Sequence, residues 1–181
     1  KEISEEILIN LLEDIEKTLG DEQATLFEIL TCAYLKYCEQ FKDNITLIEA
    51  GLFHQFDSTN VFKKNLASII GSVGLDHLQW IKNKTIEGII HEKTINLLNS
   101  NIFVNKQDNI EIRSKIENAL KNNQSKKYFF EKDFNILKAE NSFIQYEDSE
   151  GLIILPEPNI LGDHQLANIS TSIATAKKLF N

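Results

Sequence analysis

The stretch LASIIGSVGLDHLQWIKNKTIEGIIHEKTINLLNSNIFVN, residues 66–105, predicts the fold of this 181-residue chain. Residues 66–74 form an apolar run that ends in glycine, and residues 101–105 form a second run; both are typical of strands buried in a parallel sheet. Between them, residues 84–98 carry apolar side chains at the spacing of an amphipathic helix. Strand, helix and strand in this order indicate a crossover between parallel strands.

The flanking sequence continues the alternation of helices and strands. An apolar run at residues 45–51, ITLIEAG, predicts a further strand buried on both faces, with Glu49 near its end. Periodic apolar spacing predicts helices at residues 3–17, 24–40, 60–66 and 109–121. The prediction is therefore an α/β fold with a mostly parallel, doubly wound sheet.

The pattern changes after residue 125. Short alternating segments at residues 134–138, 142–147 and 151–155 predict an antiparallel meander, and the helical spacing of residues 162–180 predicts a closing helix. We therefore expect a parallel α/β part at residues 1–124, a meander at residues 125–158 and a closing region at residues 159–181.

Composition excludes several classes of function. Hydrophobic residues make up 42% of the chain and the formal net charge is −8, which fits a folded cytoplasmic protein and argues against non-specific nucleic-acid binding. No apolar run approaches the roughly 20 residues that span a bilayer, and no leader is visible. We therefore expect neither a nucleic-acid partner nor a membrane.

Polar residues lie at the expected carboxyl ends of the strands, where open parallel sheets bind ligands. Glu49 ends one strand and His77, beside Asp76, follows the next. The helix that follows carries His91, Glu92 and Lys93. A carboxylate and an imidazole together suit a divalent cation such as Mg²⁺ or Mn²⁺. The alternatives are that Glu49 is a surface residue at a strand end and that His77 caps a turn.

Several separated motifs resemble the folylpolyglutamate synthase and dihydrofolate synthase family. LIEAGL and DSTNV, at residues 47–52 and 57–61, resemble the family's E-V-G-L-G-G-R-x-D-x-T-N-V. IIGSVGLDHLQWIKNKTIEGIIHEK, at residues 69–93, resembles its I-T-S-I-G-x-D-H loop followed by I-A-x-E-K. NILGDHQLANISTSIATAKKL, at residues 159–179, resembles its L-x-G-x-H-Q-x-x-N-A helix. The motifs are collinear and cover most of the chain.

The resemblance implies the central ATPase domain of a Mur-ligase-like enzyme, which uses ATP and Mg²⁺ to join glutamate to dihydropteroate or folate through an acyl phosphate. By position in the motifs, Glu49 and His77 would be metal ligands, and Lys93 would be the lysine that is carbamylated. The resemblance also implies a substrate side formed by Asp57, Thr59 and Asn60, and a nucleotide side formed by His164, Gln165 and Asn168.

The chain also departs from the family pattern. The phosphate-binding loop G-T-x-G-K-G-S does not occur in these 181 residues, and we expect the carboxy-terminal domain to be absent too. Phe53, His54 and Gln55 stand where the family has Gly-Gly-Arg, and the first two should resist a positive φ. His54 is either a new metal ligand or a loop residue that has changed without gaining a role. Trp80 either stacks on a pterin or packs beneath the loop.

Three interpretations of the whole chain follow. It is a portion of an ATP-dependent folate–glutamate ligase, a decayed remnant that no longer catalyses, or an interaction domain that has kept the fold. In each case we expect the chain alone to be inactive. Since a sheet without the strand that carries the phosphate loop exposes an edge, self-association is also expected.

Overall fold

The computed structural model describes residues 2–138, 142–160, 162 and 164–180. Residues 161, 163 and 181 of the predicted closing region therefore lie outside the described residues. The chain divides into two compact units, Lys1–Val61 and Phe62–Asn181. In the described part of the chain, no helix is long and apolar enough to cross a bilayer.

Unit Lys1–Val61 contains two helices, α1 (Glu5–Leu19) and α2 (Leu26–Cys38), as the apolar spacing predicts. Thr25 begins α2 with a capping box, in which its hydroxyl accepts from the Glu28 N–H at 3.3 Å and its own N–H donates to the Glu28 carboxylate at 2.7 Å. A small core at the contact between the helices is formed by Leu11, Ile15 and Ala33.

The strand predicted at residues 45–51 is wrong: these residues are described, are exposed and form no strand. Leu47 is 82% exposed. A strand buried on both faces needs a partner strand and cover on each face, and the described residues of unit Lys1–Val61 supply helices but no strand. The helix predicted at residues 60–66 is also not formed.

Unit Phe62–Asn181 begins with the parallel sheet. Its strands are β1 (Ala67–Ile70), β2 (Asn101–Val104) and β3 (Lys127–Phe129), in the order β1-β2-β3. Helix α3 (Ile86–Thr94) connects the first two strands, and α4 (Ile110–Ala119) connects the second and third. The pairing is parallel throughout, with Ile102 opposite Ser68 and Lys127. The strand β3 was not predicted, and it extends the parallel part to residue 129.

A separate antiparallel sheet follows, with strands β4 (Phe134–Lys138), β5 (Phe143–Asp148) and β6 (Gly151–Pro156) in sequential order. The last helix, α5 (His164–Phe180), packs against β4 and β2. The prediction of an α/β fold with a parallel sheet and an appended meander is therefore confirmed.

One hydrophobic core joins the two sheets and α5. Its buried members are Phe103, Phe130, Phe134, Ile136, Ile144, Tyr146, Ala167 and Ala174. Phe103, on the central strand of the parallel sheet, stacks on Tyr128 with ring centroids 4.9 Å apart. The core thus fixes α5 against the strand whose carboxyl end carries the candidate site.

Candidate functional site

The loops that follow β1 and β2 are tied together at the carboxyl edge of the parallel sheet. The Asn105 N–H continues the strand pairing by donating to the Ile70 carbonyl at 2.9 Å. The buried Gln107 donates through Nε2 to the carbonyls of Gly71 (3.1 Å) and Asn105 (2.8 Å). Its Oε1 accepts from the Val73 N–H at 3.0 Å. This edge, where open α/β sheets bind ligands, is therefore held rigidly by one side chain.

The same edge holds the first turns of α5. The Asn105 side chain is buried; its Nδ2 donates to Asn168 Oδ1 at 2.7 Å, and its Oδ1 accepts from the Thr171 hydroxyl at 2.9 Å. Asn168 in turn donates through Nδ2 to Gln165 Oε1 at 3.0 Å. Two residues of the predicted nucleotide side, Gln165 and Asn168, are thus brought together and fixed to the end of β2.

His164, the third residue of that set, is exposed at the first position of α5. Gly162, two residues before the helix begins, has a φ of +112°. A Cβ at Gly162 would lie only 2.6 Å from the His164 ring, so a larger residue there would displace the imidazole. The N–H of Gln165 donates to the Gly162 carbonyl at 3.0 Å and closes the turn.

Asn105 and Gln107 were not predicted from the sequence. A signal was present, because Asn105 ends the run at residues 101–105 and Gln107 lies two residues beyond it, much as Asp76 and His77 lie just beyond the run at residues 66–74. Their burial depends on α5 and on the loop after β1, which are distant in the sequence.

His77 lies in an exposed loop beyond β1 and has a left-handed backbone, with φ 53°. Its N–H donates to Asp76 Oδ1 at 2.7 Å, and its Nε2 lies 3.4 Å from Asp76 Oδ2. It also begins the short 3-10 helix Leu78–Trp80. Trp80 is 67% exposed, so the interpretation of this indole as a packing residue under the loop is wrong.

Lys93 lies half-buried in the last turn of α3. The start of this helix is fixed by Thr85, whose hydroxyl accepts from the Gly88 N–H at 3.2 Å. A Cβ on Gly88 would lie 1.9 Å from the Asn83 carbonyl oxygen, so glycine is required where the helix meets the preceding loop. Close packing at its first turn therefore sets the position of the helix that carries Lys93.

Glu49 is an exposed residue of unit Lys1–Val61, in the segment that forms no strand. Within the described ranges, no group of three or more His, Cys, Asp or Glu side chains is arranged to hold a metal ion. The Asp76–His77 pair offers a carboxylate, which suits Mg²⁺ or Mn²⁺, and an imidazole, which suits Mn²⁺ or Zn²⁺ better than Mg²⁺.

Asp57 organises the loop that contains the predicted substrate-side residues. Its carboxylate accepts from the Leu52 N–H at 2.8 Å and from the Thr59 N–H and hydroxyl at 2.9 and 2.6 Å. Burial favours a raised pKa for Asp57, but these hydrogen bonds outweigh burial and hold the pKa below its usual range. Asn60 adds a bond from Nδ2 to the Gln55 carbonyl at 3.3 Å. All three predicted residues therefore bond within their own loop.

Phe53 adopts a positive φ of 57°, which the sequence analysis expected it to resist. Such a backbone costs a non-glycine residue roughly 1–2 kcal/mol, so the loop is held by its other bonds, chiefly those to Asp57. A Cβ at Gly51 would lie 2.5 Å from the Phe27 ring, so a larger residue there would displace that ring. His54 Nε2 is buried and has no hydrogen-bond partner among the described residues.

No family model matches the sequence. Among curated proteins, the chain is 29% identical over 171 residues to folylpolyglutamate synthase of Lacticaseibacillus casei, covering 92% of this chain and 39% of that protein. It is 46% identical over 72 residues to dihydrofolate synthase/folylpolyglutamate synthase of Bacillus subtilis (strain 168), covering 39% of this chain and 16% of that protein. The chain thus spans less than half the length of these relatives.

Solved structures of similar proteins also match nearly all of this chain and less than half of their own length. The FPGS-AMPPCP complex matches 98% of this chain and 46% of its own, with 25% identity and a TM-score of 0.81. The FPGS-AMPPCP-folate complex matches 93% and 43%, with 25% identity and a TM-score of 0.77. E. coli FolC in complex with ADP matches all of this chain and 42% of its own with a TM-score of 0.84, but at 22% identity it supports the fold alone.

The likeness in sequence runs along nearly the whole chain and the likeness in structure includes both sheets and α5. The chain is therefore similar to folylpolyglutamate synthases and dihydrofolate synthases along nearly its whole length, and it matches less than half the length of such a protein.

Proposed function

We propose that this chain is a portion of the central ATPase domain of a cytoplasmic ligase that uses ATP to add glutamate to dihydropteroate or folate, through an acyl phosphate. The observation that carries the proposal is the match of 98% of the chain to a folylpolyglutamate synthase structure that holds AMPPCP. A second matching structure of the same name holds folate as well. Self-association of the chain is supported by none of these findings.

The nucleotide side is proposed to lie at the start of α5, with His164, Gln165 and Asn168. Two observations support this placement. Gln165 and Asn168 are bonded to the carboxyl edge of the parallel sheet through Asn105. The first turn of a helix also presents backbone N–H groups, which favour a ligand rich in acceptor oxygens.

The acyl-transfer side is proposed to use Glu49 and His77 for Mg²⁺, with Lys93 as the carbamylated residue and Asp57, Thr59 and Asn60 near the substrate. A bound Mg²⁺ would offset the charge of the phosphate oxygens as the acyl phosphate forms. A carbamate on Lys93 would replace an ammonium cation with a carboxylate, and so add negative charge on the α3 side. Asp76 holds His77 in place by accepting from its N–H.

A ligation assay tests the proposal. The product of the complete reading frame that contains this sequence is expected to incorporate labelled glutamate into dihydropteroate or tetrahydrofolate, with one ADP formed per glutamate. The 181-residue chain is expected to be inactive because it contains no Gly-Lys-Ser or Gly-Lys-Thr to hold the phosphates. A complete product that binds neither ATP nor a folate would refute the ligase proposal and favour the decayed remnant.

Metal binding provides a test that does not depend on turnover. Mn²⁺ titrated into the chain is expected to bind weakly, and His77→Ala should weaken binding roughly tenfold, since a weak site with few protein ligands depends on each of them. Water-proton relaxation measures bound Mn²⁺ directly. Glu49→Ala tests the second proposed ligand, and Glu22→Ala, an exposed residue of the same unit, is its charge-matched control. Equal binding by the wild type and by both His77→Ala and Glu49→Ala would remove these residues from the metal site.

A further inference from the structure

Three carboxamides form a continuous chain at the start of α5, and a backbone group determines their orientation. The Lys106 N–H donates at 2.8 Å to the side chain of Asn105. A backbone N–H can only donate, so the atom of Asn105 that faces it must be the acceptor Oδ1. The Thr171 hydroxyl, at 2.9 Å from the same oxygen, is satisfied in this orientation as well.

The orientation of Asn105 then determines the next two residues. With Oδ1 directed at Lys106, Asn105 offers Nδ2 to Asn168, so the facing atom of Asn168 is Oδ1, at 2.7 Å. The Nδ2 of Asn168 is thereby directed at Gln165, whose facing atom must be Oε1, at 3.0 Å. Reversing any single carboxamide would place two donors or two acceptors opposite each other.

We infer that Asn105 is a positioning residue. The Lys106 N–H fixes the orientation of the Asn105 amide, which fixes the orientation of Asn168 and then that of Gln165. The start of α5 therefore offers amide N–H donors to a ligand and selects a hydrogen-bond acceptor. This inference rests on the proposed function for the identity of the ligand, and on the bonds alone for the orientation. Asn105 is buried, whereas Gln165 is half-buried and Asn168 is exposed, so only the far end of the chain of amides can meet a ligand.

An isosteric substitution tests the direction of the amides. Asn105→Asp keeps an acceptor for Lys106 and Thr171, but replaces the donor that faces Asn168 with a second acceptor. Asn168 should then turn its Nδ2 toward residue 105, and Gln165 should turn to offer Oε1. Asn135→Asp is the matched control, since Asn135 Oδ1 accepts from the N–H of the next residue, Ile136, at 2.9 Å and lies on β4.

Two measurements read out the result, the first on the 181-residue chain and the second on the product of the complete reading frame. In side-chain amide NMR spectra, Asn105→Asp should create a nuclear Overhauser contact between the Asn168 NH₂ protons and the β-protons of residue 105, and should shift the Gln165 NH₂ signals. The Kd for ATP, measured by calorimetry with Mg²⁺ present, should rise about tenfold, as expected when one hydrogen bond to a ligand is replaced by an acceptor facing an acceptor. Asn135→Asp should change neither quantity.

The outcomes separate the inference from the function on which it rests. Unchanged Asn168 and Gln165 amide signals in a folded Asn105→Asp variant would overturn the inference. So would changed signals with an unchanged Kd for ATP. If the amides turn as expected but the wild-type product of the complete reading frame binds no ATP, the orientation is supported and the nucleotide site of the proposed function fails. If Asn105→Asp does not fold, Asn168→Asp, which is exposed, should shift the Gln165 signals in its place.

Discussion

Replacing Lys177 with Met is expected to reduce the free energy of unfolding of unit Phe62–Asn181 by about 3 kcal/mol at pH 7, because it leaves a buried carboxylate without its cation. The Lys177 ammonium lies 2.8 Å from Asp148 Oδ2, and the two side chains are 15% and 4% exposed. The Tyr146 hydroxyl also donates to Asp148 at 2.8 Å. Amide hydrogen exchange in β5 measures the change within this unit.

The pH dependence follows from Asp148. Burial favours a raised pKa for this carboxyl, but the hydrogen bonds from Lys177, from the Glu150 N–H and from Tyr146 outweigh it and hold the pKa below its usual range. The pair therefore stabilises the fold fully above about pH 4, the ordinary pKa of Asp, and loses this contribution as pH falls through the lower folded-state pKa. Without Lys177, burial should raise the pKa, so the difference between Lys177→Met and wild type should shrink on acidification.

A matched surface pair provides the control. Lys132 lies 3.2 Å from Glu117 and 5.4 Å from the centre of the Phe129 ring, much as Lys177 lies 5.4 Å from the centre of the Tyr146 ring. Both members of this pair are at least 36% exposed, so Lys132→Met should cost about 1 kcal/mol or less. Equal losses from the two substitutions, or a difference that does not vary with pH, would contradict the assignment of a buried pair.

Phe103→Ala is expected to cost about 4 kcal/mol of unfolding free energy, because it opens a cavity in the core shared by both sheets and α5. Phe103 is fully buried on the central strand and stacks on Tyr128. Denaturant unfolding followed by far-ultraviolet circular dichroism measures the loss. Both the β2 amides and the β5 amides should lose hydrogen-exchange protection, since their strands share this core.

Ile69→Ala is the control for Phe103→Ala, since Ile69 lies on the neighbouring strand β1 but is 55% exposed. Its expected cost is about 1 kcal/mol or less. A loss below about 2 kcal/mol for Phe103→Ala, or a loss of protection confined to β2, would show that the two sheets do not depend on a common core.

The sequence predicted the parts of the fold in which local pattern and tertiary environment agree. The meander was located within a residue or two, because alternation matches a sheet covered on one face, as α5 covers this one. The strand predicted at residues 45–51 is not formed, because strong apolar character does not form a strand without neighbouring strands. Strand β3 was missed because three residues carry too little periodicity to be recognised alone.

The candidate site was only partly predictable for a similar reason. Motifs located Gln165 and Asn168, and the structure joins them with a hydrogen bond. The residue that anchors them, Asn105, lies 63 positions before Asn168, and no local pattern connects residues so far apart. His77 was located in its loop by motif, whereas its left-handed backbone depends on the turn into the helix Leu78–Trp80.

Helix α5 has a different partner at each end. Its first turns carry the amides of the candidate site. About 18 Å further along the helix, at 1.5 Å per residue, Lys177 in the last turns binds Asp148 at the end of β5. The meander supplies no proposed ligand residue, yet its contacts with α5 help to set the tilt and the axial position of the helix that carries Gln165 and Asn168. The meander thus supports the orientation of α5. A substitution in the meander, far from any substrate, is expected to weaken ligand recognition by changing the tilt of this helix.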